Sequence, residues 1–143
     1  MSLTEAQKKE VRVAMEAYAA AYKTKDFDGM MNIFSPGICG FGSGPDEIIK
    51  NHESFARQIK RDMIQADVES VVFSETQING EGKVAWVMTQ SAIVFTVSGS
   101  EKQTVKGRST MVLRNTDDKW LIEQIHFSMP YGRQAEGQSF PEA

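Results

Sequence analysis

The chain has 143 residues, of which 41% are hydrophobic and 24% charged. These are ordinary globular values at a length that suits one domain, and they exclude wholesale disorder. With 16 Lys and Arg against 19 Asp and Glu the net charge is −3, which excludes the basic footprint of a general nucleic-acid binder.

The N-terminus, MSLTEAQKKEVR, has no apolar core after a basic start and reads as no signal peptide. No run approaches the roughly 20 apolar residues that span a bilayer, so no membrane partner is expected. Thr4 and Gln7 have the spacing of a capping box. Beyond them Val11, Met15, Tyr18 and Tyr22 recur at helical spacing, opposite Lys8, Lys9, Arg12 and Glu16. The pattern predicts an amphipathic helix over 5–23. Asp26 is placed to cap a second, shorter helix holding Phe27, Met30, Met31 and Phe34, stopped by Ser35-Pro36-Gly37. A short strand, Ile38 to Phe41, contains Cys39. As the only cysteine, Cys39 excludes an intramolecular disulfide and a cysteine zinc centre, and points to a reducing, cytoplasmic setting.

Gly42-Ser43-Gly44-Pro45-Asp46-Glu47 reads as a turn into a third helix, with Pro45 in its first turn and the two acids at its positive end. Phe55, Ile59 and Met63 form the core face of that helix, and His52 lies on a solvated face. From Asp67 the signal is β. The predicted strands are Val68 to Ile78, a hairpin at Asn79-Gly80, then Val84 to Val97, Val105 to Asn115 and Trp120 to Ser128. Helices first and strands afterwards argue for an α+β fold in which three helices cover one face of an antiparallel meander. The domain is expected over 1–130, with an irregular tail over 131–143.

Several segments in this order carry a resemblance. They are Lys25-Asp26-Phe27-Asp28 with Ile33-Phe34; Gly42 to Glu47; Val84-Ala85-Trp86-Val87; Gly107 to Leu113; and Trp120 to Ser128. Together they resemble the nuclear transport factor 2-like (NTF2-like) superfamily, closest to its SnoaL-like and ketosteroid-isomerase-like members. The resemblance implies a cone, three N-terminal helices packed on a curved antiparallel sheet that encloses a pocket. It also implies a homodimer formed through the outer sheet face. The superfamily includes isomerases, cyclases, dehydratases, hydrolases and plain association domains, so the fold alone assigns no activity. Its ketosteroid isomerases use an inward aspartate as base, and no such aspartate is placed from this sequence.

Strict alternation puts Trp120, Ile122, Gln124, His126 and Ser128 on one face, an amphipathic pocket wall. His126 is the candidate catalytic acid or base, against a purely structural role. Arg108, on one face with Thr110, is the candidate to hold a carboxylate or enolate oxygen; Lys106 and Arg114 on that face favour an exposed role instead. Trp86 and Met88 serve as pocket wall or core. Tyr18 and Tyr22 either polarise a carbonyl or pack as aromatic core. Phe34 and Phe55 supply apolar wall. With two histidines and no acid at ligand spacing from either, no metal and no cofactor are expected. The reading is a pocket for a small apolar carbonyl or carboxylate compound, with isomerase- or lyase-type acid–base chemistry. The alternative is a non-catalytic ligand-binding or dimeric association module. The dimer face is either that of Val87, Ile93, Phe95, Met111 and Leu113 or its alternate.

Overall fold

The computed structural model describes residues 1–141. The Thr4 hydroxyl accepts from the Gln7 N–H at 3.1 Å, and the Gln7 side chain accepts from the Thr4 N–H at 2.9 Å. This reciprocal cap starts α1, Glu5–Thr24, whose Val11 and Met15 are fully buried. Asp26 Oδ1 accepts from the Gly29 N–H and starts α2, Phe27–Met31. Phe34 is not in that helix. It opens strand β1, Phe34–Phe41, because the Ile33 carbonyl accepts from the Ile122 N–H at 2.9 Å and Pro36 biases Ser35 toward extended backbone.

Pro45 does not begin a helix. Gly42 donates to the Glu47 carbonyl at 2.9 Å to close a turn, and Ile48–Ile49 (β2) pairs with β1. Helix α3, His52–Gln65, starts only after Asn51, whose side chain accepts from the Ser54 N–H at 2.8 Å. His52 therefore sits in the first turn, half-buried.

Strands β3 (Ala66–Glu81), β4 (Val84–Val97), β5 (Gln103–Thr116) and β6 (Lys119–Ser128) form the expected meander. The sheet order is β2-β1-β6-β5-β4-β3. β1 runs parallel to β6, so the curved sheet is mixed rather than wholly antiparallel. The β3–β4 turn is Gly82-Lys83, not Asn79-Gly80: Glu81 pairs with Val84, and Gly82 takes the positive φ of 60°. Gly80 has a different reason to lack a side chain, since a Cβ there would lie 2.3 Å from the Val84 carbonyl oxygen.

Two irregularities in β3 and one in β6 bend the sheet over α1 and α3. The one in β6 decides which residues face inward. Val112 pairs with Gln124 and Leu113 with Ile122, so Glu123 is an extra residue. Trp120 and Ile122 face the helices, but beyond Glu123 the inward residues are Ile125 and Phe127. On β4 the inward set is Ala85, Val87, Thr89 and Ser91, and on β5 it is Ser109, Met111 and Leu113, all of them buried. Residues 131–141 form no helix or strand; the last two residues of the expected tail, 142–143, lie outside the described residues. No helix among the described residues is long and apolar enough to cross a membrane.

Candidate functional site

The inward faces of α1 and α3 meet over the sheet. Phe55, Gln58, Ile59 and Asp62 follow one another at helical spacing on α3, so its apolar stripe carries two polar groups inward. The Tyr22 hydroxyl donates to Asp62 Oδ2 at 2.8 Å. Gln58 Nε2 donates to Asp62 Oδ1 at 2.8 Å and to Glu47 Oε1 at 2.7 Å. Glu47 also accepts from the Gly44 N–H. At the rim Arg61 clasps Asp46 at 2.6 and 3.3 Å, donates to Gln58 Oε1 at 3.1 Å and lies 3.7 Å from Glu47.

Aromatic rings wall this network. Tyr18 meets Tyr22 edge-on with centroids 5.2 Å apart, approaches Phe34 at 5.8 Å and stacks on Phe73 at 6.4 Å. Phe34 in turn packs on Phe55 at 4.2 Å. The inward side chains of the central strands are small. Thr89 is satisfied by Thr76 at 2.8 Å and by the Ser74 carbonyl at 3.2 Å, while Ser91 is buried beside it.

These surroundings reset the acidities. Burial holds the Asp62 carboxyl above its ordinary value, and Glu47 adds to this; the hydrogen bonds from Tyr22 and Gln58 and the charge of Arg61 oppose it without cancelling it. Burial, reinforced by the Asp62 charge, raises Tyr18. Burial together with Tyr18 and Asp62 raises Tyr22 as well. At the rim the hydrogen bond from Arg61 lowers Asp46, and the same contact raises Arg61. Tyr18 and Tyr22 nonetheless keep some accessible surface, as do Asp62, Gln58 and Phe73. The arrangement thus joins a carboxyl group of raised pKa to phenols that stay protonated at neutral pH, beside the cluster of Tyr18, Phe34 and Phe55 rings.

The residues expected to line one pocket fall on two faces of the sheet. Tyr18, Tyr22, Phe34 and Phe55 are together inside. Trp86, Met88, Arg108, Thr110, His126 and Ser128 are outside: Trp86 is 49% and Met88 52% exposed, and Arg108, Thr110 and His126 are exposed as well. For His126 and Ser128 the reason is the Glu123 bulge, which strict alternation cannot anticipate. For Trp86 and Met88 it is that Ala85, Val87, Thr89 and Ser91 are the residues facing the helices. Met88, Arg108, Thr110, His126 and Ser128 do converge, in an outer groove of about 470 Å³ with Glu75 at its edge. His126 there packs against Phe41 at 5.5 Å. Asp62 and Gln58 were not singled out from the sequence; the signal for them was their position on the stripe of Phe55 and Ile59. Among the described residues no cluster of three or more His, Cys, Asp or Glu is placed to hold a metal ion.

No curated protein matches the sequence. Solved structures do. A provisionally named scytalone dehydratase of Novosphingobium aromaticivorans is 10% identical with a TM-score of 0.80, over 94% of this chain and 96% of that one. A provisionally named dehydratase of the NTF2-like family from Streptomyces avermitilis is 18% identical with a TM-score of 0.77, over 90% and 99%. An NTF2-like protein of unknown function from Pseudomonas putida is 15% identical with a TM-score of 0.76, over 98% and 96%. At these identities the likeness shows the NTF2-like fold alone. The SnoaL-like domain family matches residues 11–132, most of the chain, and the chain belongs to that family.

Proposed function

We propose that this chain binds a small, largely apolar carbonyl compound between the helices and the sheet and moves a proton on it, an isomerase- or lyase-type reaction. One observation carries the reading: Asp62 is half-buried with its pKa raised although it accepts hydrogen bonds from Gln58 and from Tyr22, whose ring meets Tyr18 edge-on. Each carboxylate oxygen has two acceptor positions, so both keep one free for a substrate proton. A carboxylate that is costly to ionise is a stronger base than one in water. Asp62 takes the proton from the carbon beside the carbonyl, and the electrons move onto the carbonyl oxygen. Tyr18, still protonated, donates to that oxygen as charge develops. Protonated Asp62 then returns the proton to a neighbouring carbon, or to a leaving hydroxyl that departs as water. The scheme requires no cofactor. Two solved neighbours are provisionally named dehydratases, which agrees with the lyase variant.

The test is proton exchange from cyclic ketones in D2O, followed by NMR for the wild type, Asp62→Asn and Tyr18→Phe. The expected result is exchange about 100-fold faster with wild type than with Asp62→Asn. Equal rates for these two proteins refute the assignment.

A second reading concerns association. Val72, Trp86 and Met88 share the outer sheet face and are 57%, 49% and 52% exposed. Of the alternative set, Val87, Met111 and Leu113 are core. The outer face is therefore the proposed homodimer surface, which would cover the His126–Arg108 groove. On this reading alone the chain is an association module.

A further inference from the structure

We infer that the outer groove is a second ligand site, one that takes a small organic carboxylate with an apolar body. This goes beyond the interior reading and does not depend on it.

The register of the sheet sorts the groove into two rows. Gln90 on β4 pairs with Arg108 on β5, and Arg108 with Ser128 on β6. In the next row on the same face Met88 pairs with Thr110, Thr110 with His126, and His126 with Phe41 on β1. The first row is wholly polar. The second has apolar ends, Met88 at 52% and Phe41 at 50% exposure, and the half-exposed Trp86 lies beyond Met88. A guanidinium thus stands about 7 Å along the strands from an apolar rail. The groove's volume of about 470 Å³ suits a small molecule.

The charge of Arg108 has no counterpart here. Among the described residues it makes no hydrogen bond and no ion pair, whereas Arg61 at the inner rim is clasped by Asp46. Strands β4 and β5 contain no acidic residue. The one acid of β6, Glu123, has its carboxylate beside Gly37 on β1. Glu75 lines the groove, but from β3, two strands and so roughly 10 Å away from Arg108. Lys106, exposed two residues before Arg108, adds charge of the same sign.

A guanidinium fork matches a carboxylate with two parallel hydrogen bonds. The hydroxyls of Thr110 and Ser128 flank it and can donate to the remaining acceptor positions. With one guanidinium in the groove and Glu75 at its edge, a single negative charge is balanced and a double one is not. The ligand's apolar part lies on Met88 and Trp86, which otherwise stay half-exposed to water. In a dimer paired through this face the groove lies in the seam, and the carboxylate supplies the charge that Arg108 would otherwise leave water without.

The experiment titrates 4-phenylbutyrate, its neutral amide, acetate and inorganic phosphate calorimetrically into wild type, Arg108→Gln, Met88→Ser and Arg114→Gln. Arg114 is an exposed cation of β5 outside the groove. Wild type is expected to bind 4-phenylbutyrate roughly tenfold more tightly than the amide or acetate, and phosphate more weakly still. Arg108→Gln should reduce the preference over the amide to within about twofold. Met88→Ser should weaken 4-phenylbutyrate and the amide alike, and Arg114→Gln should change neither. Absence of 4-phenylbutyrate binding at millimolar concentration overturns the site. So does a preference that survives Arg108→Gln, since the ligand then sits elsewhere, the interior included, or one lost equally in Arg114→Gln, which marks diffuse surface charge. Tighter binding of phosphate than of 4-phenylbutyrate overturns the carboxylate class. None of these results bears on Asp62, whose role is read by proton exchange.

Discussion

Replacing Tyr22 by Phe removes one hydroxyl and little else, since the ring keeps its edge-on contact with Tyr18. The lost interaction is the 2.8 Å hydrogen bond to Asp62 Oδ2. A hydrogen bond to a charged group contributes about 1.5–3 kcal/mol, and a half-buried partner argues for the lower part of that range. The substitution should therefore raise the Asp62 pKa further. The direction follows because the Tyr22 bond lowers the carboxyl's pKa and its removal takes away that restraint. Burial already holds the wild-type value above the ordinary 3.8. In both proteins, therefore, stability gained from a neutral Asp62 is present below 3.8 and lost as pH rises through the folded value. The two proteins diverge only above the wild-type folded value, and the gap is complete above the higher value of the variant. Urea unfolding across pH 3–9 reads this directly. The variant should lose about 1.5 kcal/mol at the alkaline end, roughly 5 °C in Tm, and much less at the acidic end. A penalty of the same size at every pH would show that Tyr22 supports packing and does not hold the charge of Asp62.

Gly40→Ala should cost about 3 kcal/mol or more in chemical denaturation, because φ is 152° there and a Cβ would stand 1.8 Å from the Ile125 carbonyl oxygen at the β1–β6 seam. A loss below about 1 kcal/mol would mean that this seam yields easily. The double variant Trp86→Glu with Met88→Lys should halve the mass seen by light scattering while leaving Tm nearly unchanged, since both side chains are half exposed on the outer face. An unchanged dimer mass, or a monomeric wild type, would refute pairing through that face.

Much of the fold was legible because local chemistry and burial agree. The Thr4–Gln7 cap, the Val11–Met15 stripe and the Asp26 cap each specify their element without help from distant residues. The misread segments are those in which tertiary contacts prevail. Phe34 follows helical spacing, yet Ile33 and Phe34 are drawn to β6. Pro45-Asp46-Glu47 has the composition of a helix start, but its carboxylates serve Arg61, Gln58 and Gly44, and Asn51 does the capping. The site suffered most from one residue. Alternation along β6 holds up to Ile122 and reverses after Glu123, which sends His126 to the opposite face from Tyr18. Asp62 and Gln58 were readable as polar positions on an apolar helical stripe, but only a packed sheet opposite shows that the stripe has something to enclose.

The parallel pairing of β1 with β6 also orders events during synthesis. β1 leaves the ribosome early with one side of its backbone unpaired, and its partner is the last strand to be made. The hydrogen bond from Trp120 to Glu10 likewise ties α1 to a residue 110 positions later. Helices and meander can form as they emerge, but the cone closes only when the final strand arrives. Until then the exposed edge of β1 is the nascent chain's most exposed point for pairing with a neighbour. A chaperone that shields β1 should therefore raise the yield more than one that acts on the hairpins.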